Sequence, residues 1–388
     1  MRFIIAISVV ILFFTFQGSL SAQTVNQPEG LEINEEWIDT EEIQVYWQDA
    51  LREYRDFIPL SPDEHWLDAV KDGSIFSLKD WLNGFLLFFL EEWQTNGKLI
   101  GMLFLLALMS VFLKILVGSF ENGAVSKISY LVIFGVLLTI AISSFYQVVN
   151  YTTETINSLS HFMFAMLPLM LSLMAAFGNV ATVAFFQPII LLFTQVSGVL
   201  VTKIVLPLLF ISAILHIASF VNEEFNVSRL ADLFKYVAFV IMGAFMALFV
   251  SLMSFQGVNA AVSDGLAIKA AKFVTSNFIP IIGRMFTDAT DTVLSASVLM
   301  KNAVGAAGVV IILIITLFPV LKVLVIGLVY KVTSAVLQPI ADGPVVELIE
   351  VMGKYILYIL VALLMMSLMF FFSIVMLVIV SNLSLMIR

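Results

Sequence analysis

From Lys98 to its last residue, the chain alternates long apolar runs with short polar interruptions. Nine apolar windows stand out there. About 20 apolar residues span the roughly 30 Å hydrocarbon core of a bilayer, so each window can cross or nearly cross it. Backbone amides in lipid must be satisfied within their own segment, which predicts helices. The windows are Leu99–Val117, Ile128–Val149, Leu159–Phe177, Val180–Val201, Ile204–Val221, Tyr236–Phe255, Ala303–Leu321, Val323–Ile340 and Tyr355–Val380.

This pattern predicts an all-α, polytopic membrane domain over residues 98–388, with seven to nine transmembrane or re-entrant helices. The windows around residues 180 and 323 are the ones that also fit re-entrant helices. Composition agrees, because 61% of the residues are hydrophobic and 12% are charged, against about 25% charged in a soluble domain. The chain has no cysteine, which excludes disulfides and thiolate metal ligands. No basic patch indicates a nucleic-acid partner.

The N-terminal stretch, residues 1–22, has the pattern of a signal peptide. Met1-Arg2 is a short basic region, Phe3–Phe16 is an apolar run, and Ser19–Ala22 supplies small residues for cleavage. An uncleaved anchor helix is the alternative interpretation. Either interpretation exports residues 23–97.

Residues 23–97 form an acidic segment that contains all five tryptophans, namely Trp37, Trp47, Trp66, Trp81 and Trp93. Apolar residues recur at helical spacing from Ile43 to Tyr54 and again after Trp66, with Ser61–Glu64 as the expected cap of the second run. These spacings predict two short amphipathic helices, followed by an interfacial helix over Ser77–Glu92 whose tryptophans suit the headgroup layer. The segment is too small for an independent enzyme core, so we expect it to dock on the membrane domain or on a partner.

The distribution of basic residues gives a partial orientation. Lys114 and Lys127 flank the loop Gly118–Lys127, which is then cytoplasmic, while Asn150–Ser158 has no basic residue and is then external. Beyond these two loops the rule gives no clear orientation.

Proline interrupts several of the apolar windows. A proline within a membrane helix frees a backbone carbonyl and bends the helix, so these positions are candidates for broken helices. Such breaks in corresponding halves are typical of a transporter built from repeats, although prolines are also common in ordinary membrane helices. The positions are Pro168, Pro188, Pro207, Pro319 and Pro339.

A polar stripe distinguishes residues 256–302, between the sixth and seventh windows. Polar side chains recur on one face of a predicted helix and apolar ones on the other, with Arg284 and Asp288 at i,i+4 spacing. One interpretation is an interfacial helix with a solvated face; the other is a face that lines a cavity or meets a partner helix. The stripe consists of Asn277, Arg284, Asp288, Asp291, Ser295 and Asn302.

Candidate chemistry is sparse elsewhere. The sequence has no nucleotide-binding loop, no metal-ligand spacing and no nucleophile with an adjacent base, so we expect no enzyme activity, no cofactor and no metal site. Lys203, His161 and His216 lie nearest to the apolar windows, and we expect structural or interfacial roles for them.

The stripe region also resembles a known family. Asn277–Pro280 and Gly283–Val293 closely resemble stage III sporulation protein AE of endospore-forming Firmicutes. The resemblance extends through Asn96–Leu99, Ala184–Pro188, Ser212–Leu215 and Leu337–Pro339 to the C-terminus, and so covers nearly the whole membrane domain.

The resemblance implies a membrane component of the channel, or feeding-tube, complex that joins the mother cell to the forespore and supports late forespore gene expression. The implied location is the mother-cell membrane around the forespore. The implied partners are the other stage III A operon proteins, including an ATPase and ring-forming subunits, and stage II sporulation protein Q across the intermembrane space. The family supplies no catalytic residues. Two mechanisms stay open: a subunit of the conduit itself, or a non-conducting scaffold that seats the ring-forming subunits.

Overall fold

The computed structural model describes residues 41–72, 77–118, 123–176, 178–221, 227–278, 282–340 and 343–386. All regular elements in these ranges are helical, which confirms the all-α prediction for the described part of the chain. A π-helical turn, Val201–Val205, joins α6 to α7 without a loop. The helices are α1 Glu41–Glu53, α2 Trp66–Lys71, α3 Leu78–Thr95, α4 Gly97–Gly118, α5 Gly123–Ala176, α6 Val180–Leu200, α7 Leu206–Val221, α8 Ser228–Phe278, α9 Ile282–Leu337 and α10 Pro344–Met386.

Six helices in the described residues are long and apolar enough to cross a membrane, and three of these carry two sequence windows each. The window pairs merge on α5, on the continuous helix from α6 to α7, and on α9. The polar residues between paired windows, such as Asn150–Ser158, do not end the helix. Hydropathy therefore separates windows that backbone hydrogen bonding joins, and the described residues contain six candidate spans where the sequence predicts seven to nine. The six spans are Lys79–Phe112, Leu131–Ala176, Val180–Phe220, Ser228–Phe255, Val298–Leu337 and Pro344–Asn382.

The long helices pack side by side, with α9 and α10 as the most buried pair. Gly327 of α9 lies against Leu357 of α10, and Gly305 lies against Val378, so these two helices run antiparallel. α5, α7 and α8 pack around this pair. A Cβ at Gly305 would lie 2.3 Å from a Val378 methyl carbon. This spacing shows that the α9–α10 interface is closed by direct contact between the two helices.

The longest helices exceed the thickness of a bilayer. α5 has 54 residues and α9 has 56, so each is about 80 Å long at about 1.5 Å per residue. The hydrocarbon core is only about 30 Å thick. Both helices therefore extend well beyond it.

In the described part of the acidic segment, residues 41–72 and 77–97, the helices α1, α2 and α3 form at the three predicted positions. The predicted cap of the second helix is wrong, because α2 begins at Trp66 and His65 is its N-cap, with Nδ1 accepting from the Leu67 amide (3.4 Å). Gln44 of α1 holds the start of α2, since its Oε1 accepts a hydrogen bond from the Trp66 amide (3.1 Å). α1, α2 and α3 all pack against α9. The expected docking of this segment is thus realised within the chain.

The tryptophans of the segment differ in environment. Trp47 and Trp66 are 0% and 1% exposed, whereas Trp81 and Trp93 on α3 are half-buried. We expect bromolipids to quench single-tryptophan variants that keep Trp81 or Trp93 more strongly than those that keep Trp47 or Trp66, because α3 belongs to the first candidate span, Lys79–Phe112. Steady-state fluorescence in reconstituted vesicles measures this, with the unbrominated lipid as control. Equal quenching of all four would contradict the assignment.

Candidate functional site

The candidate polar stripe is divided between two helices. Asn277 lies in the last turn of α8, while Arg284, Asp288, Asp291 and Ser295 lie on α9. Because α8 ends at Phe278 and α9 begins at Ile282, Asn277 cannot share a single helical face with the others. The four positions on α9 do share one face by their spacing. Their side chains, and that of Asn277, lie outside the described residues.

The sixth member of the stripe, Asn302, faces the interior of the bundle. Its Oδ1 accepts a hydrogen bond from Nδ2 of Asn382 on α10 (2.9 Å). The preceding residue, Lys301, is only 1% exposed. The C-terminal end of the stripe is therefore part of a polar contact between α9 and α10.

A buried carboxylate anchors the C-terminal half of α8 to the start of α6. Asp264 is 2% exposed, and both of its oxygens accept hydrogen bonds at the N-terminus of α6. Oδ1 accepts from the Ala181 amide (2.8 Å), and Oδ2 accepts from the amide (2.9 Å) and the hydroxyl (2.6 Å) of Thr182. The side chain of the local N-cap residue, Asn179, makes no cap hydrogen bond. Asp264 thus caps α6 from another helix, where a negative charge also complements the helix dipole.

Sequence reasoning missed Asp264. The residue lies 83 positions from its first partner, and nothing in the sequence around it indicates which helix end it meets. It belongs to residues 256–302 and fixes α8 several turns before that helix ends at Phe278. Residues 256–302, which carry the polar stripe, are therefore attached to α6 through Asp264.

The five candidate broken-helix prolines lie in different backbone settings. Pro168, Pro188 and Pro319 lie inside α5, α6 and α9, which continue through them. Pro207 follows the π turn Val201–Val205, and Pro339 follows the end of α9. An irregular backbone thus accompanies Pro207, and a helix end accompanies Pro339.

Two of these proline regions meet at a cleft between α5 and α6. The cleft has a volume of about 280 Å³ and brings Pro168 close to Gln187, the residue before Pro188. Its walls are mainly aliphatic, and Ser172 and Gln187 are its polar side chains. The lining residues are Leu167, Pro168, Leu171, Ser172, Ala175, Val183, Gln187 and Leu191.

An aromatic cluster holds the acidic segment against the middle of α9. The Tyr54 ring stacks on the Phe318 ring, with centroids 4.0 Å apart and planes 8° apart. Phe88 of α3 packs against Phe318 in an edge-to-face arrangement, with ring centroids 4.9 Å apart. Nζ of Lys322 lies 6.0 Å from the Tyr54 ring and 5.7 Å from the Tyr151 ring. Burial raises the pKa of Tyr54 far above its usual range, and a hydrogen bond to the Glu53 carboxylate (2.8 Å) adds to the rise. Tyr54 therefore stays protonated and keeps this contact.

Gly84 of α3 allows the turn that follows α1 to approach α3 closely. A Cβ at Gly84 would lie 1.8 Å from the carbonyl oxygen of Phe57, which is far inside van der Waals contact. Phe57 belongs to the turn after α1 and also contacts Phe88 and Phe318. Gly84 is thus required where that turn packs on α3.

A second polar contact joins α7, α8 and α10 near the opposite end of the bundle. Ser212 donates to the Ala231 carbonyl (2.5 Å) and lies 2.5 Å from the Tyr355 hydroxyl, which lies 3.0 Å from Nδ1 of His216. Because the single Ser212 proton is used on Ala231, Tyr355 donates to Ser212 and accepts from His216. This chain of donors assigns the Nδ1–H form to His216 and gives it a structural role, as the sequence predicts.

The other ionisable residues near the windows, Lys203 and His161, have exposed side chains. In the ranges that the structure describes, no group of three or more His, Asp or Glu side chains is placed to hold a metal ion.

Comparison with known proteins supplies what geometry alone cannot. The sequence model of the family described as stage III sporulation protein AE matches residues 62–381. Stage III sporulation protein AE of Bacillus subtilis (strain 168) is 41% identical over 351 residues, which cover 90% of this chain and 88% of that protein. No solved structure matches the chain.

Proposed function

The chain belongs to the stage III sporulation protein AE family, and from that membership we propose that it is a membrane component of the channel complex between mother cell and forespore. The family name indicates a role in sporulation, and the six apolar helices indicate a membrane protein. In the proposal, the chain resides in the mother-cell membrane around the forespore and supports late forespore gene expression. We assign it no catalytic role.

The proposed partners are the other stage III A operon proteins, including the ATPase and the ring-forming subunits, and stage II sporulation protein Q across the intermembrane space. The same proposal exports the part of residues 23–97 that precedes the first candidate span, Lys79–Phe112. Its support is the docked segment, whose surface carries exposed charged residues such as Asp49, Arg52 and Asp56. A surface of this kind belongs in water or among headgroups rather than in the hydrocarbon core.

The packing of α9 against α10 bears on how such a component works. Four glycines, Gly305, Gly308, Gly327 and Gly353, bring these helices together so closely that an added Cβ would meet the other helix or α5 at 2.3 to 3.1 Å. The space between α9 and α10 at these levels is filled. A conduit built with this subunit would therefore not pass between α9 and α10 at these levels, and a non-conducting scaffold is the second candidate.

Purification from sporulating cells tests the proposal. Affinity-tagged protein, extracted from membranes during engulfment, is expected to bring down the ATPase and ring-forming subunits. A tagged, unrelated polytopic membrane protein is the control. Loss of every stage III A partner under conditions that keep the complex intact would contradict membership. Electron microscopy of the same material would separate the two mechanisms, since only a conduit subunit lines a continuous path.

The polar stripe offers a second test. If Arg284 and Asp288 form an ion pair on the face that also carries Asp291, and this face meets a partner or an aqueous path, then Arg284→Ala or Asp288→Ala strands a poorly solvated charge. We expect each single variant to reduce late forespore gene expression at normal protein abundance. The double variant should be less harmful than the sum of the two, because neither charge is then stranded.

A reporter gene under late forespore control measures the three variants against wild type, and immunoblots give protein abundance. A solvated face predicts near-wild-type expression in all three, since exposed ion pairs contribute about 0–1 kcal/mol. Three indistinguishable results would thus show that the stripe is merely solvated.

A further inference from the structure

Two apolar windows on one continuous helix cannot be two crossings of the same membrane. A second crossing requires the chain to reverse direction, which takes a turn between antiparallel segments. The backbone between the paired windows is helical instead: it includes Asn150–Ser158 in α5, the π turn Val201–Val205, and Lys322 in α9. Each of these long helices therefore passes through the bilayer once.

Contacts between antiparallel helices show which chain reversals share an end of the bundle. Asp264 of α8 meets the start of α6, and Asn302 of α9 meets Asn382 near the end of α10. The end with these contacts, here called the far end, holds the start of α6, the last turns of α8 and the last turns of α10. At the near end, Ala231 meets Ser212, and Tyr330 of α9 lies against Gly353 of α10.

The docked segment identifies the side on which the far end lies. α4 leads away from this segment to Gly118, and α5 returns past it, because Phe162 of α5 contacts Tyr46 of α1 (5.4 Å between ring centroids). α5 then continues beyond this contact to Ala176. α9 comes back from the same end and meets Tyr54 at Phe318. Both helices thus reach the far end on the side of the docked segment.

We infer that the chain crosses the membrane six times and that the far end, with the C-terminal end of α10, lies on the same side as the docked acidic segment. The crossings are α3–α4, α5, α6–α7, α8, α9 and α10, an even number that returns the chain to its starting side. The near end, where α8 and α10 begin, lies on the opposite side. That the shared side is extracytoplasmic rests on the proposed function.

The inference assigns a surface to that side. The far end carries the Asp264 anchor, the α9 positions of the polar stripe and exposed Lys269. Lys269 then faces the compartment of the acidic segment, where a protein partner outside the cytoplasm can reach it, and the stripe positions on α9 lie on the same side.

Single-cysteine variants test this arrangement without background, since the chain has no cysteine of its own. Asp49→Cys reports on the docked segment, Val180→Cys and Lys269→Cys on the far end, and Arg229→Cys and Gln338→Cys on the near end; all five side chains are exposed. Full-length variants are produced in vegetative cells, where the extracytoplasmic side of the membrane faces the medium, and their protoplasts are treated with a membrane-impermeant maleimide before and after permeabilisation. Immunoblots confirm equal abundance.

We expect Asp49→Cys, Val180→Cys and Lys269→Cys to react in intact protoplasts, and Arg229→Cys and Gln338→Cys only after permeabilisation. Nine separate crossings would exchange the results at Val180 and Gln338 alone, and that outcome would overturn the inference. Reversal at all five positions would uphold six crossings but overturn the exported placement of the acidic segment, so the two proposals fail in different ways.

Discussion

The Asp264→Ala variant is expected to lose about 3–5 kcal/mol of unfolding free energy, because it leaves two amides and one hydroxyl without their acceptor in a buried site. The wild-type carboxylate is 2% exposed and receives all three hydrogen bonds at the start of α6. Each unsatisfied buried donor costs about 1–3 kcal/mol, and partial relaxation reduces the sum. The shift of the thermal unfolding midpoint in detergent, followed by tryptophan fluorescence, measures the loss.

Two further variants separate this anchor from a general effect of removing charge. Asp232 lies on the same helix, but its side chain is 57% exposed and pairs with Lys235, so Asp232→Ala should cost about 0–1 kcal/mol. Thr182→Val removes one donor of the three and should have an intermediate effect. If Asp264→Ala and Asp232→Ala unfold at the same temperature, then Asp264 does not anchor α6.

The Gly84→Ala variant is expected to displace the part of the acidic segment that carries α1 and α2 from α3. Its new Cβ would lie 1.8 Å from a backbone carbonyl oxygen, and backbone cannot move aside as a flexible side chain can. The turn that carries Phe57 must shift, which weakens the neighbouring contact between Tyr54 and Phe318. Overpacking of this kind typically costs about 1–3 kcal/mol.

Buried tryptophans provide the measurement for Gly84→Ala. Trp47 and Trp66 are shielded in the wild type, and a displaced segment exposes them to an aqueous quencher such as iodide. Gly101→Ala on α4 is the matched control, because no atom lies within 4 Å of its added Cβ, and alanine is favoured over glycine in helices by about 1 kcal/mol. Equal quenching in Gly84→Ala and Gly101→Ala would show that the close approach is not needed for docking.

Hydropathy and spacing predict the helices of this chain better than they predict its connections. The amphipathic pattern from Ile43 to Tyr54 predicts α1, and the apolar windows fall on helices, because both signals depend on local free energies of transfer. Chain reversal depends on turn residues, and Asn150–Ser158 lacks the glycine or proline that commonly ends a helix. The windows on either side of it consequently join in α5.

The anchoring contacts could not be predicted, for a different reason. Asp264 and Tyr355 act on partners that are 82 or more positions away, and their roles arise only when helices align side by side. The polar stripe shows the converse case. Its spacing from Arg284 to Asn302 is correct for a single face of α9, yet Asn302 points to Asn382 rather than to solvent. Periodicity predicts a face, whereas packing decides what the face meets.

The π turn between α6 and α7 has a consequence for how the sequence can change. A π turn accommodates one more residue than an α turn, so everything after Val205 is rotated by about 100° relative to an uninterrupted helix. That rotation sets the direction in which Ser212 and His216 point toward Tyr355. Deleting a single residue from Val201–Val205 would leave hydropathy and composition nearly unchanged while turning this face away from α10. The phase of the helix, rather than its apolar character, is what an insertion or deletion here would alter.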